Sequence, residues 1–303
     1  MDALSDVLAH LKIQSTISSR CESRGRWAFR FPGYEANIKF GSVMEGAMQL
    51  QLQGARKPIV FQAGDFYLLT NSQPFVSSSI PAGIPEDGPA AYRAARGSDG
   101  VVRIGSEGPP VILVSGRFTF EGEASRLLLR QLPELVRLRG DDPATRPLAS
   151  LLELLRWEDD AARPGTGITQ TSLASLLLVQ ALRIFLGGTR RPRGWLGAMV
   201  DKRVGAALSA MHADLAQRWT VETLAHVAGM SRTAFAVRFK ELVGATPLEY
   251  LTDWRMTVAR GLLKTGEGPV AEVAERVGYL SDTAFSAAFK RATGASPASF
   301  RNA

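Results

Sequence analysis

A twenty-residue stretch occurs twice in this 303-residue chain, fifty residues apart: SRTAFAVRFKELVGATPLEY from Ser231 and SDTAFSAAFKRATGASPASF from Ser281, identical at nine positions. Unrelated segments of ordinary composition would share roughly one or two, so the repeat is real. A short apolar helical pattern precedes each copy, VETLAHVAGM before the first and VAEVAERVGYL before the second. The repeating unit is helix, glycine-containing turn, helix, and it confines the C-terminal third to an all-α fold made of two like parts.

Within the first copy, Thr220 is placed to cap the leading helix and Glu222 lies in its first turn, where the helix dipole favours a negative charge. Gly229 permits the tight turn, and Ser231 caps the second helix. Phe235 and Phe239, four apart, are expected to face inward against Leu224 and Val227. The opposite face carries Arg232, Thr233, Ala236, Val237 and Lys240. Gly244 marks the end of that helix, and Thr246-Pro247 starts another. The second copy repeats this at Ser281, Phe285, Phe289, Gly294 and Ser296-Pro297, with Asp282, Thr283, Ser286, Ala287 and Lys290 outward. A connecting helix from Pro247 to Lys264 would be about 26 Å long at about 1.5 Å per residue. With the width of each unit added, that approaches the roughly 34 Å between successive major-groove faces on one side of B-DNA. One such pattern is as readily an ordinary helical hairpin; two, with matched caps, glycines and prolines, favour a pair of DNA-reading helices.

The front of the chain has a different period. Residues 25–120 alternate short β-rich runs (WAFRF, AMQLQLQ, PIVFQ, DFYLL, VVRIG, VILVSGRFTF) with Gly, Pro, Asn and Asp punctuation, the pattern of a barrel or sandwich. From Ser125 the spacing becomes helical, through SRLLLRQLPELVRL, PLASLLELLRWEDD and TQTSLASLLLVQALRIFLGG, up to the linker-like GGTRRPRGW. The helix near Thr169 has an apolar arc wide enough for burial under the β domain or for a subunit interface. The expected fold class is α+β multidomain: a β-barrel or sandwich domain over 1–125, which the resemblance described below makes a cupin-like sensory domain, a helical linker and dimerisation region over 126–197, and a double helix-turn-helix over 198–303. Charge follows that division. Residues 1–125 carry twelve basic and twelve acidic side chains, 126–197 eleven and seven, and 198–303 thirteen and ten, so the net +7 lies wholly behind residue 125. A basic rear half beside a neutral front half suits nucleic-acid binding at one end only.

From about Val200 to Arg301 the chain resembles the DNA-binding domain of AraC/XylS-type transcription regulators, through WTVETLAHVAGMSRTAFAVRFKELVGATPLEYLTDWRMTVARGLL and VAEVAERVGYLSDTAFSAAFKRATGASPASFR. The resemblance implies that the second helix of each unit enters the major groove of double-stranded promoter DNA. It assigns base-facing roles to Thr233, Ala236, Val237, Thr283, Ser286 and Ala287, and phosphate contacts to Ser231, Arg232, Arg238, Lys240, Ser281 and Lys290, with Asp282 on the same outward face. Several of these positions are small and apolar, so thymine-methyl contacts and DNA shape carry more of the readout than direct hydrogen bonds. The front half is similar to the cupin-type sensory domain of one branch of that family, through MDALSDVL, CESRGRWAFRFPG, AGDFYLLTNSQPF and VSGRF followed by LLLRQLPELVRL.

The expected function is a cytoplasmic, sequence-specific transcription regulator, a homodimer controlled by a small organic effector in the barrel and meeting RNA polymerase if it activates. Neither a membrane-length apolar run nor a signal peptide is read from the sequence. The three histidines, His10, His212 and His226, leave the strand region without any, which argues against a metal-dependent cupin enzyme; no metal, cofactor or catalytic group is expected. His212 and His226 are expected to be exposed or half-buried helix residues. Trp27, Phe29, Phe40, Phe66 and Tyr67 lie on the expected strands and are candidates for an effector pocket, against the plainer reading of core. A redox-responsive regulator acting through Cys21 is the alternative, and a cupin enzyme with a helical appendage the more distant one. With a single cysteine, an intramolecular disulfide is closed to the redox reading.

Overall fold

Alternation of apolar and polar residues along the front half pairs its strands into two facing sheets. The computed structural model describes residues 3–9, 13–33, 37–70, 73–120, 128–159, 164–188 and 192–302. One sheet contains β1 (Ile13–Ser23), β3 (Asn37–Glu45), β6 (Phe66–Leu69), β9 (Val102–Ile104), β10 (Val111–Phe120) and β11 (Leu135–Leu138), in the order β11-β6-β3-β10-β1-β9. The other is ordered β5-β4-β7-β2-β8, from β2 (Ala28–Phe31), β4 (Ala47–Leu52), β5 (Ile59–Gln62), β7 (Phe75–Ser78) and β8 (Glu86–Asp87). Neighbours are antiparallel except β1 with β9 and β2 with β8. Between the sheets lies one apolar core of Cys21, Trp27, Phe29, Phe31, Val43, Met48, Leu50, Phe61, Tyr67, Leu69, Phe75, Val102 and Leu113. Gly41 on β3 faces that core at a point where a Cβ would overlap the Tyr67 ring, so only glycine lets the ring lie flat on the strand.

The helical period expected throughout the region after Ser125 is broken by β11, which pairs with β6. Pro133 stops a helix there, and Val136 and Leu138 are buried on alternate positions, so LVRL extends the sheet. Residues 121–127, where the change of period was placed, lie outside the described residues. A helix, α2 (Gly88–Ala94), stands where only turns were expected; Asp87 caps it by accepting from the Ala90 amide at 2.7 Å, with Pro89 in its first turn. Helices α3 (Arg146–Asp159) and α4 (Thr166–Gly187) pack on each other, and α4 also on β1 and β11 through a face that buries Ala174, Leu177, Leu178, Ala181, Leu182 and Leu186. By length and composition alone, the 22 residues of α4 could cross a membrane.

The chain divides into two compact units: residues 13–120 with 132–188, and residues 1–12 with 121–131 and 189–303. The second unit holds α1 (Ala3–Ala9), α5 (Trp195–Ala198), α6 (Lys202–Ala213), α7 (Val221–Val227), α8 (Arg232–Val243), α9 (Pro247–Thr265), α10 (Val270–Arg276), α11 (Asp282–Thr293) and α12 (Pro297–Arg301). The N-terminal helix thus belongs with the repeat. Ala3, Leu4 and Val7 are buried, and α1 packs on α6. Beneath it His212 is buried, not half-exposed as expected: Nδ1 lies 3.0 Å from the Asp6 carboxylate and Nε2 2.6 Å from the Tyr250 hydroxyl. Burial, and secondarily the charge of Asp6, push the Tyr250 phenol above its usual range, so it keeps its proton and can donate to Nε2, leaving Nδ1–H for the carboxylate. Trp254 covers the imidazole at 4.6 Å between ring centres. His226 is exposed, and His10 lies outside the described residues.

Candidate nucleic-acid interface and barrel interior

The two repeats become two helix-turn-helix units joined by α9. Thr220 and Thr223 form a capping box at α7, and the Ser231 hydroxyl accepts from the Ala234 amide at the start of α8. Ser281 does the same for α11 through Ala284. Gly229 and Gly278 occupy the two turns at φ 61° and 81°, a left-handed backbone that favours glycine. Phe235 and Phe239 on α8, and Phe285 and Phe289 on α11, are fully buried. Val227, expected to support the first pair, is 39% exposed; Leu224, Ala225 and Ala228 form the buried stripe instead.

The reason lies in the register. The amides of Ala228, Gly229 and Met230 bond to Leu224, His226 and Ala225, while those of Val277, Gly278 and Tyr279 bond to Val273, Glu275 and Ala274. Leading helices therefore correspond at a spacing of 49 residues and second helices at 50. Val227 is matched by Arg276, a polar-side position, and the second turn has one more residue before its serine cap. The added residue is adjacent to Ser281, where Leu280 is 81% exposed, an apolar side chain the repeat alignment gave no reason to single out.

Each outward face is open. Ser231, Arg232, Thr233, Val237, Arg238 and Lys240 are exposed and Ala236 half-buried; Ser281, Asp282, Thr283, Ala287 and Lys290 are exposed and Ser286 half-buried. Arg238 also donates to Asp201 at 3.0 Å, whose other oxygen caps α6 through the Arg203 and Val204 amides. Burial tends to raise the Asp201 pKa, but those amides and the guanidinium outweigh it and hold the carboxyl below its usual range. A further positioning residue that periodicity could not reveal is Arg255 on α9. It donates to the carbonyls of Leu215 and Gln217 ahead of the first unit and lies 6.0 Å from the Tyr279 ring of the second turn. One guanidinium thereby braces both units against the helix that joins them.

In the strand-rich unit, Trp27, Phe29 and Tyr67 are buried together in the core between the sheets, with Trp27 stacked on Phe29 at 5.4 Å. Phe40 and Phe66 stack on the other face of the first sheet, where Phe118 joins them, so the five aromatic candidates divide between two places. Cys21 is buried in the first, its Sγ 3.2 Å from the Ser23 hydroxyl, and burial pushes its thiol up. Among the described residues, no three His, Cys, Asp or Glu side chains cluster as a metal site would require.

A strand-rich sensor-like unit and a paired helix-turn-helix unit with open second helices are the architecture of a DNA-binding transcription regulator. The sequence matches a cupin family over residues 2–187 and a helix-turn-helix domain family over residues 224–303. It is 39% identical to a protein of Streptomyces lividans described as an AraC-like transcription regulator, over 92% of this chain and 91% of that protein. The HTH-type transcriptional regulator AlkR of Acinetobacter baylyi is 29% identical over 92% of each chain. Among solved structures, the DNA-binding domain of AdpA in complex with a target DNA is 40% identical, covering 32% of this chain and 86% of that one at a TM-score of 0.31. The chain belongs to the AraC-type family of DNA-binding transcription regulators with a cupin N-terminal domain.

Proposed function

We propose that this regulator reads two successive major grooves of a promoter duplex through α8 and α11, under control of a small organic effector received by the strand-rich unit. The observation that carries the reading is the pairing of two exposed helix faces, each backed by two fully buried phenylalanines and both rooted on α9, about 28 Å long at about 1.5 Å for each of its 19 residues. In this reading Thr233, Ala236, Val237, Thr283, Ser286 and Ala287 meet base edges. Ser231, Arg232, Arg238, Lys240, Ser281 and Lys290 meet phosphates, and Asp282 flanks them. Functionally, residues 1–125 sense, 126–197 link and dimerise, and 198–303 bind DNA. Leu154, Trp157, Ile168 and Leu176, exposed apolar residues of α3 and α4, support a homodimer. The protein works in the cytoplasm, performs no catalysis, and contacts RNA polymerase where it activates. A redox route through Cys21 is disfavoured, because a buried thiol held protonated reacts slowly with oxidants.

Binding of the full chain to duplexes selected from a random pool, followed by fluorescence anisotropy at several salt concentrations, tests the reading. Replacing Arg232 and Lys240 together by Ala should weaken binding to every sequence and reduce the salt slope by about 1.8, at about 0.9 per phosphate contact. Absence of duplex binding at low salt, or an unchanged slope, would overturn it.

A further inference from the structure

The second turn carries one residue more than the first, and that residue is a bare leucine. Hydrogen bonds set the correspondence: the Met230 amide donates to the Ala225 carbonyl at 2.9 Å, and the Tyr279 amide to the Ala274 carbonyl at 2.9 Å. Met230 is followed directly by the serine that caps α8, whereas Leu280 stands between Tyr279 and the capping Ser281 of α11. An apolar residue just ahead of a helix cap ordinarily packs on the fourth residue of the helix and fixes the angle at which the chain enters. In α11 that fourth residue is Phe285, fully buried, and Tyr279 packs on it instead, at 5.6 Å between ring centres. The place beside the helix is thus filled, and Leu280 is left 81% exposed.

Its position gives that exposure a meaning. The second helix of a helix-turn-helix meets base edges chiefly through its N-terminal residues, and Leu280 lies one residue ahead of the α11 cap and three ahead of the exposed Thr283. Among the described residues of the helical unit, Leu280 is the most exposed large apolar side chain, and Val237, on the outward face of α8, follows at 55%. The first-turn charges agree. Whereas α8 begins with Arg232, α11 begins with Asp282 and keeps its cations, Lys290 and Arg291, in its last turn. Phosphate attraction at the leading end of α11 is correspondingly weak, so selectivity there falls to contact with the bases. In the major groove the apolar group on offer is the C5 methyl of thymine.

We propose that Leu280 is a specificity-determining residue that packs on a thymine methyl group in the groove entered by α11. The inference rests on the two-groove reading and adds a base preference to it. Replacing thymine by deoxyuridine removes that methyl and leaves base pairing intact, so the contact can be tested at a single group. The probes are duplexes that the wild-type full chain selects from a random pool, resynthesised with deoxyuridine at one thymine at a time and followed by fluorescence anisotropy. At one thymine the wild-type affinity should fall about fourfold, the worth of one buried methyl group. In Leu280→Ala that penalty should vanish while the penalties at other thymines stay as they were. Leu280→Gln is the second variant, and because the position is exposed both should melt with the wild type. If no thymine has a penalty that depends on Leu280, or if the variants weaken every duplex alike, the contact is overturned. Variants that bind and select as the wild type does would overturn it too, and would assign the leucine to a protein partner instead. The wider reading fails separately: a chain that selects no duplex loses both grooves, whereas one that selects duplexes without a Leu280-dependent thymine loses only this contact.

Discussion

Replacing Asp6 by Ala removes one acceptor from a histidine that has no route to water. The His212 side chain is fully buried and Asp6 is 13% exposed, so the lost bond strands an imidazole N–H with no solvent to replace the carboxylate. A buried donor left without its acceptor costs about 1–3 kcal/mol. For a unit of this size, with roughly 3–4 °C lost per kcal/mol, the melting temperature of the helical unit should fall by about 3–12 °C. Leu4 and Val7 keep α1 in place, so the loss should fall on the polar network. Asp6→Asn, which keeps an acceptor, should cost less. Tyr250→Phe removes the 2.6 Å contact on the other ring nitrogen, and because all three groups form one chain the double variant should lose measurably less or more than the sum of the singles. Urea unfolding followed by tryptophan fluorescence is the assay, since Trp254 and Trp195 lie 4.6 and 6.4 Å from the imidazole. An Asp6→Ala midpoint equal to that of the wild type would refute the reasoning, for it would mean that α1 does not complete this core in solution.

Two further outcomes are expected. Phe285→Ala empties a fully buried position between Tyr279 and Phe289 and should cost about 3–5 kcal/mol, with loss of duplex binding in the same preparation, measurable by denaturation and anisotropy. Asp201, whose folded pKa is depressed, contributes stability that is complete above the ordinary carboxylate range, near pH 4, and is lost as the pH falls through its lower folded value. Asp201→Asn should therefore flatten the acid limb of the stability curve of the helical unit and leave its neutral region less affected; an acid limb as steep as the wild type's would refute the assignment.

What could be read from the sequence followed from how local each determinant is. Caps such as Ser231 and Thr246, the glycine turns and the paired phenylalanines are set by neighbours within a few residues, and the structure has them where periodicity places them. β1 is the counterexample: IQSTISSRCES carries too few apolar residues to announce a strand, and it forms one because β10 and β9 supply partners along its length. β11 was concealed in a leucine-rich run whose helical spacing Pro133 interrupts. His212 looked like a surface residue because nothing in a helical window reveals a carboxylate 206 positions earlier. Arg255 likewise owes its role to carbonyls forty residues away. For the barrel aromatics, the sequence marked strand residues but could not say which face each occupies.

The tie between Asp6 and His212 bears on how the molecule is made. The two ends of that contact are separated by 206 residues, so the helical core is closed by segments far apart in the chain, across a loop whose closure entropy no local turn can offset. Maturation of the DNA-gripping half should then be slow relative to its small, locally stabilised helices. A truncated protein beginning at the repeat would fold with a hole where the leader helix belongs, so measurements on such fragments describe a destabilised relative of the native unit.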